Sequence, residues 1–99
     1  MRHELKTWPM PFEAVAYQNK RHEIRKDDRP YGVGDELLLR EYIPVDWDWR
    51  PDWGTYTGRS LLAKVIYLTP GGEWGLPDDI CVMSIELLTG FMVEVKGGK

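Results

Sequence analysis

Polar and apolar positions alternate from the third residue. His3, Leu5 and Thr7 fall on one side and Glu4 and Lys6 on the other, which predicts a short strand over 3–7. The period then changes. Phe12, Val15 and Ala16 recur at i, i+3 and i+4, the stripe of a helix with one buried face. Pro9 and Pro11 fit only its first turn, Thr7 offers a hydroxyl cap, and Gln18-Asn19 supplies a stop, because Asn tolerates the left-handed conformation. From Lys20 to Lys26 the two-residue period returns, with Arg21, Glu23 and Arg25 on one side and His22 and Ile24 on the other. Turns at Asp27–Pro30 and Val33–Asp35 lead into a strand from Leu37 to Tyr42. Thr57-Gly58-Arg59 precedes a long strand through Leu61, Ala63, Val65 and Tyr67, which Pro70-Gly71-Gly72 ends. After the loop Trp74-Gly75-Leu76-Pro77, Ile80–Leu87 is apolar on both faces and is expected inside a sheet. Gly90 sets off 91–95 as a final strand, and 96–99 reads as a flexible tail.

Several strands with one main helix near the N-terminus predict an α+β chain, mostly β, folded as a small curled barrel of about five or six strands. The 99 residues make one domain, with no linker or repeat to divide them. Thirteen Lys and Arg against sixteen Asp and Glu give a net charge of −3. That balance argues against coating long stretches of nucleic acid, yet it leaves room for a site that grips one nucleotide. The single cysteine, Cys81, rules out an intramolecular disulfide and suits a reducing cytoplasm. No apolar run approaches the roughly 20 residues of a membrane span, so no membrane partner is expected. Met1-Arg2-His3-Glu4 also lacks the apolar core of a signal peptide. His3 and His22 lack metal-ligand spacing, so neither a metal nor a cofactor is assigned.

Trp47, Trp49 and Trp53 crowd a loop placed at 44–55. Stacking platforms for single-stranded bases pair aromatics with basic neighbours. Here Glu41, Asp46, Asp48 and Asp52 face Arg50 alone, which would repel phosphate. Two readings stay open: the loop 46–53 docks a protein partner through exposed tryptophans, or its rings fold back over the barrel's open end.

The segment Lys20-Arg21-His22-Glu23-Ile24-Arg25 follows a helix and precedes Val33-Gly34-Asp35 and a strand. In this setting it resembles the ASCH family of the PUA-like superfamily, whose hallmark is Gly-x-Lys-x-x-Glu-x-Arg. Further runs strengthen the likeness: His3-Glu4-Leu5-Lys6-Thr7-Trp8, Phe12-Glu13-Ala14-Val15, Leu39-Arg40-Glu41-Tyr42, Tyr56-Thr57-Gly58-Arg59 and Val82-Met83-Ser84-Ile85. Together they look like a compact bacterial and phage subgroup of largely unassigned role, over residues 2–87. Gln18 stands where the hallmark has glycine.

The resemblance implies a PUA-like barrel with a cleft between helix and sheet. Members of the superfamily bind RNA, and some ASCH-like proteins hydrolyse N4-acetylated cytidine with the motif lysine, here Lys20, as a catalytic residue. Binding of RNA or a modified nucleotide or nucleobase is therefore the leading expectation, in a cleft lined by Lys20, Glu23 and Arg25. Arg25 would fork onto a phosphate or base edge, and Glu23 would accept from an exocyclic amine. His3, Lys6 and Trp8 would meet the ligand at the cleft entrance, with Trp8 stacking on a base or wedged beneath the helix start. Lys26, Arg29 and Arg40 are candidate phosphate contacts. If the protein is a hydrolase, Lys20 and Glu23 carry the catalysis, with a neutral Lys20 amine activating water or attacking an acyl carbon. The competing reading makes Lys20, Glu23 and Arg25 a solvated strand face of alternating charge.

Overall fold

A computed structural model describes residues 1–44 and 54–93. Within them one helix and six strands follow in the order β1 (Arg2–Thr7), α1 (Pro9–Ala16), β2 (His22–Lys26), β3 (Glu36–Ile43), β4 (Thr55–Thr69), β5 (Ile80–Leu87) and β6 (Met92–Val93). The strands form one curled half-barrel sheet in the order β1-β3-β4-β5-β2, with β6 paired to β4. The described residues are mostly β with a single helix near the N-terminus, as the residue pattern predicts. β1 runs parallel to β3 and the other pairings are antiparallel. β5 is interior, flanked by β4 and β2. The tryptophans of the 46–53 loop, and the end of the expected last strand with its tail, lie outside the described residues.

The inner faces follow the two-residue period. His3, Leu5 and Thr7 point inward from β1, in register with Leu37, Leu39 and Glu41 on β3. Leu61, Ala63 and Val65 from β4 and Cys81, Met83 and Ile85 from β5 complete the wall, and Phe12 and Val15 of α1 press down onto it. Complete burial of a side chain such as Leu39 or Phe12 contributes about 1.5–3 kcal/mol.

β4 is long enough to serve two neighbours: its first part pairs with β3, its last part with β5. Two bulges turn it. Opposite Glu41, the pairing passes from Arg40–Ser60 to Tyr42–Tyr56, so Thr57, Gly58 and Arg59 face one residue of β3. Gly58 takes φ +93°, a conformation that side chains rarely adopt. A second irregularity between Val65 and Tyr67 makes Ile66 the extra residue.

The helix boundaries differ in detail from expectation. Trp8 is the N-cap residue and no side chain caps the helix. Thr7 still belongs to β1 and points into the sheet, where its hydroxyl accepts from Arg25 Nη2 at 3.1 Å. It therefore cannot reach the helix's first turn. The stop falls on Gln18, at φ +61°, rather than on Asn19. β2 starts at His22, not at Lys20, because the two preceding residues complete the turn out of the helix.

β1 and β2 form the two ends of the sheet path. Side chains from β2 and the turn after it join them: Arg25 Nη1 donates to the Lys6 carbonyl at 3.0 Å and Arg29, beyond the end of β2, donates from Nη1 to the Glu4 carbonyl at 3.0 Å. These guanidinium groups satisfy main-chain acceptors on an edge that would otherwise need a strand or water.

Candidate functional site

A cavity of about 300 Å³ opens at this seam, beside the start of α1. Lys6, Thr7 and Trp8 line it from β1 and the helix start, and Lys20, Glu23 and Arg25 from the opposite side. On β2 the usual order is inverted. Glu23 is buried, at 2% exposure, and Arg25 half-buried, while Ile24 between them is 57% exposed. The inward carboxylate is well supplied with donors. Its Oε2 accepts from Lys20 Nζ at 2.8 Å and its Oε1 from Arg25 Nε at 2.9 Å. Arg25 Nη2 lies 2.8 Å from the same Oε1. Lys20 Nζ donates a second bond to the His22 carbonyl at 2.6 Å.

Two cations thus converge on one buried anion, so the trio presents net positive charge to the cavity. An ionised carboxylate offers about four acceptor positions, and these contacts leave capacity for a ligand donor. A lysine ammonium has three donors, of which two are engaged here. Trp8 stacks on Tyr42, with ring centroids 5.8 Å apart and planes at 25°. It is both wedge and rim, since 42% of it stays exposed. Lys6 Nζ lies over the Tyr42 ring at 4.6 Å, placing a cation beside that aromatic pair.

Other expected contacts lie elsewhere. His3 is buried, with Nε2 2.9 Å from Asp35 Oδ2 and its ring edge-on to Tyr31. It is a core residue at the opposite end of β1 from Trp8, because its side chain follows the inward alternation. Its hydrogen bond, with help from the Gly32 amide, holds the Asp35 carboxyl below the usual range despite burial. Arg29 serves the sheet seam, and Lys26 is exposed at the end of β2. Arg40 stacks over Tyr56, 3.9 Å from the ring centroid, in a separate cavity of about 450 Å³. Trp47, Trp49 and Trp53 fall outside the described residues.

The residue pattern did not single out a second charged cluster. Glu41 is buried on the inner face and accepts from Arg59 Nε at 2.8 Å, Arg59 Nη2 at 2.9 Å and Thr57 Oγ1 at 2.8 Å. The β4 bulge creates this nest by setting Thr57 and Arg59 across from one carboxylate. Arg59 also approaches Glu13 of α1 at 3.6 Å and lies 4.6 Å from the Phe91 ring centroid, tying helix and sheet together. Its hydrogen bonds hold the Glu41 carboxyl below the ordinary range, against the opposing effect of burial and with support from Thr57. A signal was present: Glu41 is in phase with the core positions Leu37 and Leu39.

No helix among the described residues is long and apolar enough to cross a membrane. A protein of Escherichia phage P2, described as an uncharacterized 12.9 kDa protein in the GpA 3'region, is 35% identical over 72 residues. That match covers 73% of this chain and 58% of the phage protein. Residues 2–85 match the family DUF3850, described as a domain of unknown function. Because that match takes in most of the chain, including β1, the helix and the whole Lys20–Arg25 segment, the protein belongs to the DUF3850 family.

Proposed function

We propose that this chain is an ASCH-like module of the PUA-like superfamily that binds RNA or a modified nucleotide by holding one nucleobase in the cavity at the β1–β2 seam. The inverted face of β2 carries this reading. A strand that buries Glu23 and half-buries Arg25 while exposing Ile24 forgoes apolar burial, and such local reversals of the folding pattern are expected where a site is built. The cavity, at about 300 Å³, falls at the small end of small-molecule pockets and suits one ring rather than a duplex. Glu23 offers an acceptor for an exocyclic amine, Lys6 and Lys20 supply positive charge for a phosphate, and Trp8 offers a stacking surface worth about 1–3 kcal/mol per base. Gln18 adds support for the resemblance, since its left-handed φ falls where the ASCH pattern has glycine.

Titration of single-stranded RNA and of modified nucleosides against wild type and Lys20→Ala tests the reading. Weaker binding by the variant is expected; equal binding by both proteins removes the cleft from consideration.

Hydrolysis of an N4-acylated cytidine is the second reading, favoured by the 2.8 Å Lys20–Glu23 pair. It asks more of the site: Lys20 acts as donor to two acceptors, and a nucleophilic or basic amine must give them up. Incubation with N4-acetylcytidine and chromatography for cytidine decides it; no turnover at high protein concentration excludes it.

A further inference from the structure

We infer that the nucleobase cavity continues across Lys20 into a second subsite, so that the preferred ligand is a dinucleotide step of a single strand rather than a lone nucleotide. The inference rests on the nucleotide-binding reading above and adds the length and path of the ligand.

A second cavity, of about 370 Å³, lies between the end of α1 and the strands β4 and β5. Lys20 lines both cavities and so stands on the ridge between them. Its lining mixes polar side chains with the aliphatic Ile66 from β4 and Leu87 from β5, and with Val15 and Ile85, which are themselves buried in the core. Ile66 owes its place to the β4 irregularity, which makes it the extra residue between Val65 and Tyr67, and it remains 52% exposed. The exposed Ile66 side chain can cover the face of a base. Arg21 brings a cation to the same wall, its Nε held by the Gln18 carbonyl at 3.3 Å, and Glu86 contributes the wall's one carboxylate.

The turn that ends the helix arranges this. Gln18 at φ +61° reverses the chain, and Lys20 and Arg21 follow directly. A ring-sized hollow on each side of a lysine, with an arginine beside it, matches two bases joined by one phosphate. The Lys20 ammonium keeps a third donor for that phosphate after its bonds to Glu23 and His22. A mononucleotide would occupy the first hollow and leave the second unused.

The test compares nucleoside 3'-monophosphates with the matching dinucleoside monophosphates, such as uridine 3'-monophosphate and UpU, for each of the four bases. Both probes carry the phosphate; the dinucleotide's diester has less negative charge than the monoester, so a gain in its affinity reports the second nucleoside and not charge. Calorimetric titration of wild type should show at least one dinucleotide binding about tenfold tighter than its mononucleotide, which corresponds to about 1.4 kcal/mol. Arg21→Ala, at an exposed position, and Ile66→Asp should each erase that gain and leave mononucleotide binding unchanged. Lys20→Ala should weaken both ligands. Equal affinity of mono- and dinucleotides for wild type overturns this inference while leaving the nucleobase cavity standing. A gain that survives both Arg21→Ala and Ile66→Asp also overturns it, by locating the second base elsewhere. Absence of binding by every probe overturns the inference and the proposed function together.

Discussion

Replacing Glu41 with glutamine keeps the side chain's shape and removes its charge. In the native protein the carboxylate accepts three hydrogen bonds, two from Arg59 and one from Thr57, at 3% exposure. The amide has one oxygen to offer them, and its NH2 group turns a donor toward donors. Breaking a fully buried ion pair costs about 3–5 kcal/mol. Arg59, however, is 34% exposed and keeps Glu13 and the Phe91 ring as neighbours, so the guanidinium is not stranded. The expected cost is therefore lower, about 2–3 kcal/mol. For a domain with roughly 5–15 kcal/mol in total, that is a large fraction, and the urea midpoint at pH 7 should fall by about 1–2 M. The pH dependence is a separate check. Arg59 lowers the folded-state pKa of Glu41, so the carboxylate's contribution is complete above its unfolded value of about 4.3 and is lost as pH falls through the folded value. Urea curves followed by circular dichroism in steps from pH 7 to pH 2 should show the gap between wild type and Glu41→Gln closing at the acid end. A gap below about 0.5 kcal/mol at pH 7, or one that stays constant across the range, would refute the reasoning.

Asp35→Asn should cost about 1–2 kcal/mol at pH 7, because the Asp35 carboxylate accepts from His3 and from the Gly32 amide. The His3 bond depresses its pKa, so thermal melts should show the cost shrinking once the pH drops below about 3.9. Cys81 is completely buried, and that burial pushes its thiol up; Ellman's reagent at pH 8 should label native protein only as fast as it opens, and denatured protein at once. Prompt labelling of the folded form would contradict the packing of β5. Trp74 sits at φ +53° with 91% of its surface exposed, so Trp74→Asn should relieve strain without losing burial. A gain of about 0.5–1 kcal/mol in chemical denaturation is expected, and a loss would show that the ring has a packing role.

Local periodicity carried most of the fold. The alternation of His3, Leu5 and Thr7 and the stripe of Phe12 and Val15 name the same inward faces that the structure buries. Glu23 and Arg25 were legible as residues of one side, and both line the cavity, although Ile24 from the other side lines it as well and Arg21 does not. Contacts set by distant registers were less accessible. His3 and Asp35 are 32 residues apart, and the parallel pairing of β1 with β3, which Asp35 immediately precedes, brings them together. Thr7 looked like a helix cap because capping is a local rule, whereas its hydroxyl is claimed by Arg25, 18 residues away. The Glu41–Arg59 pair needed a bulge that no two-residue period announces, although a carboxylate in step with two buried leucines could have been flagged.

The arginine-joined seam makes the sheet a hoop fastened by buckles. Parting β1 from β2 releases three side-chain contacts among the described residues, from Arg25 to Lys6 and Thr7 and from Arg29 to Glu4, and unzips no backbone ladder. Local opening along this line therefore breaks no strand pairing. Arg25 is at once a buckle and part of the hollow's lining, so the shape of the hollow depends on the fastening.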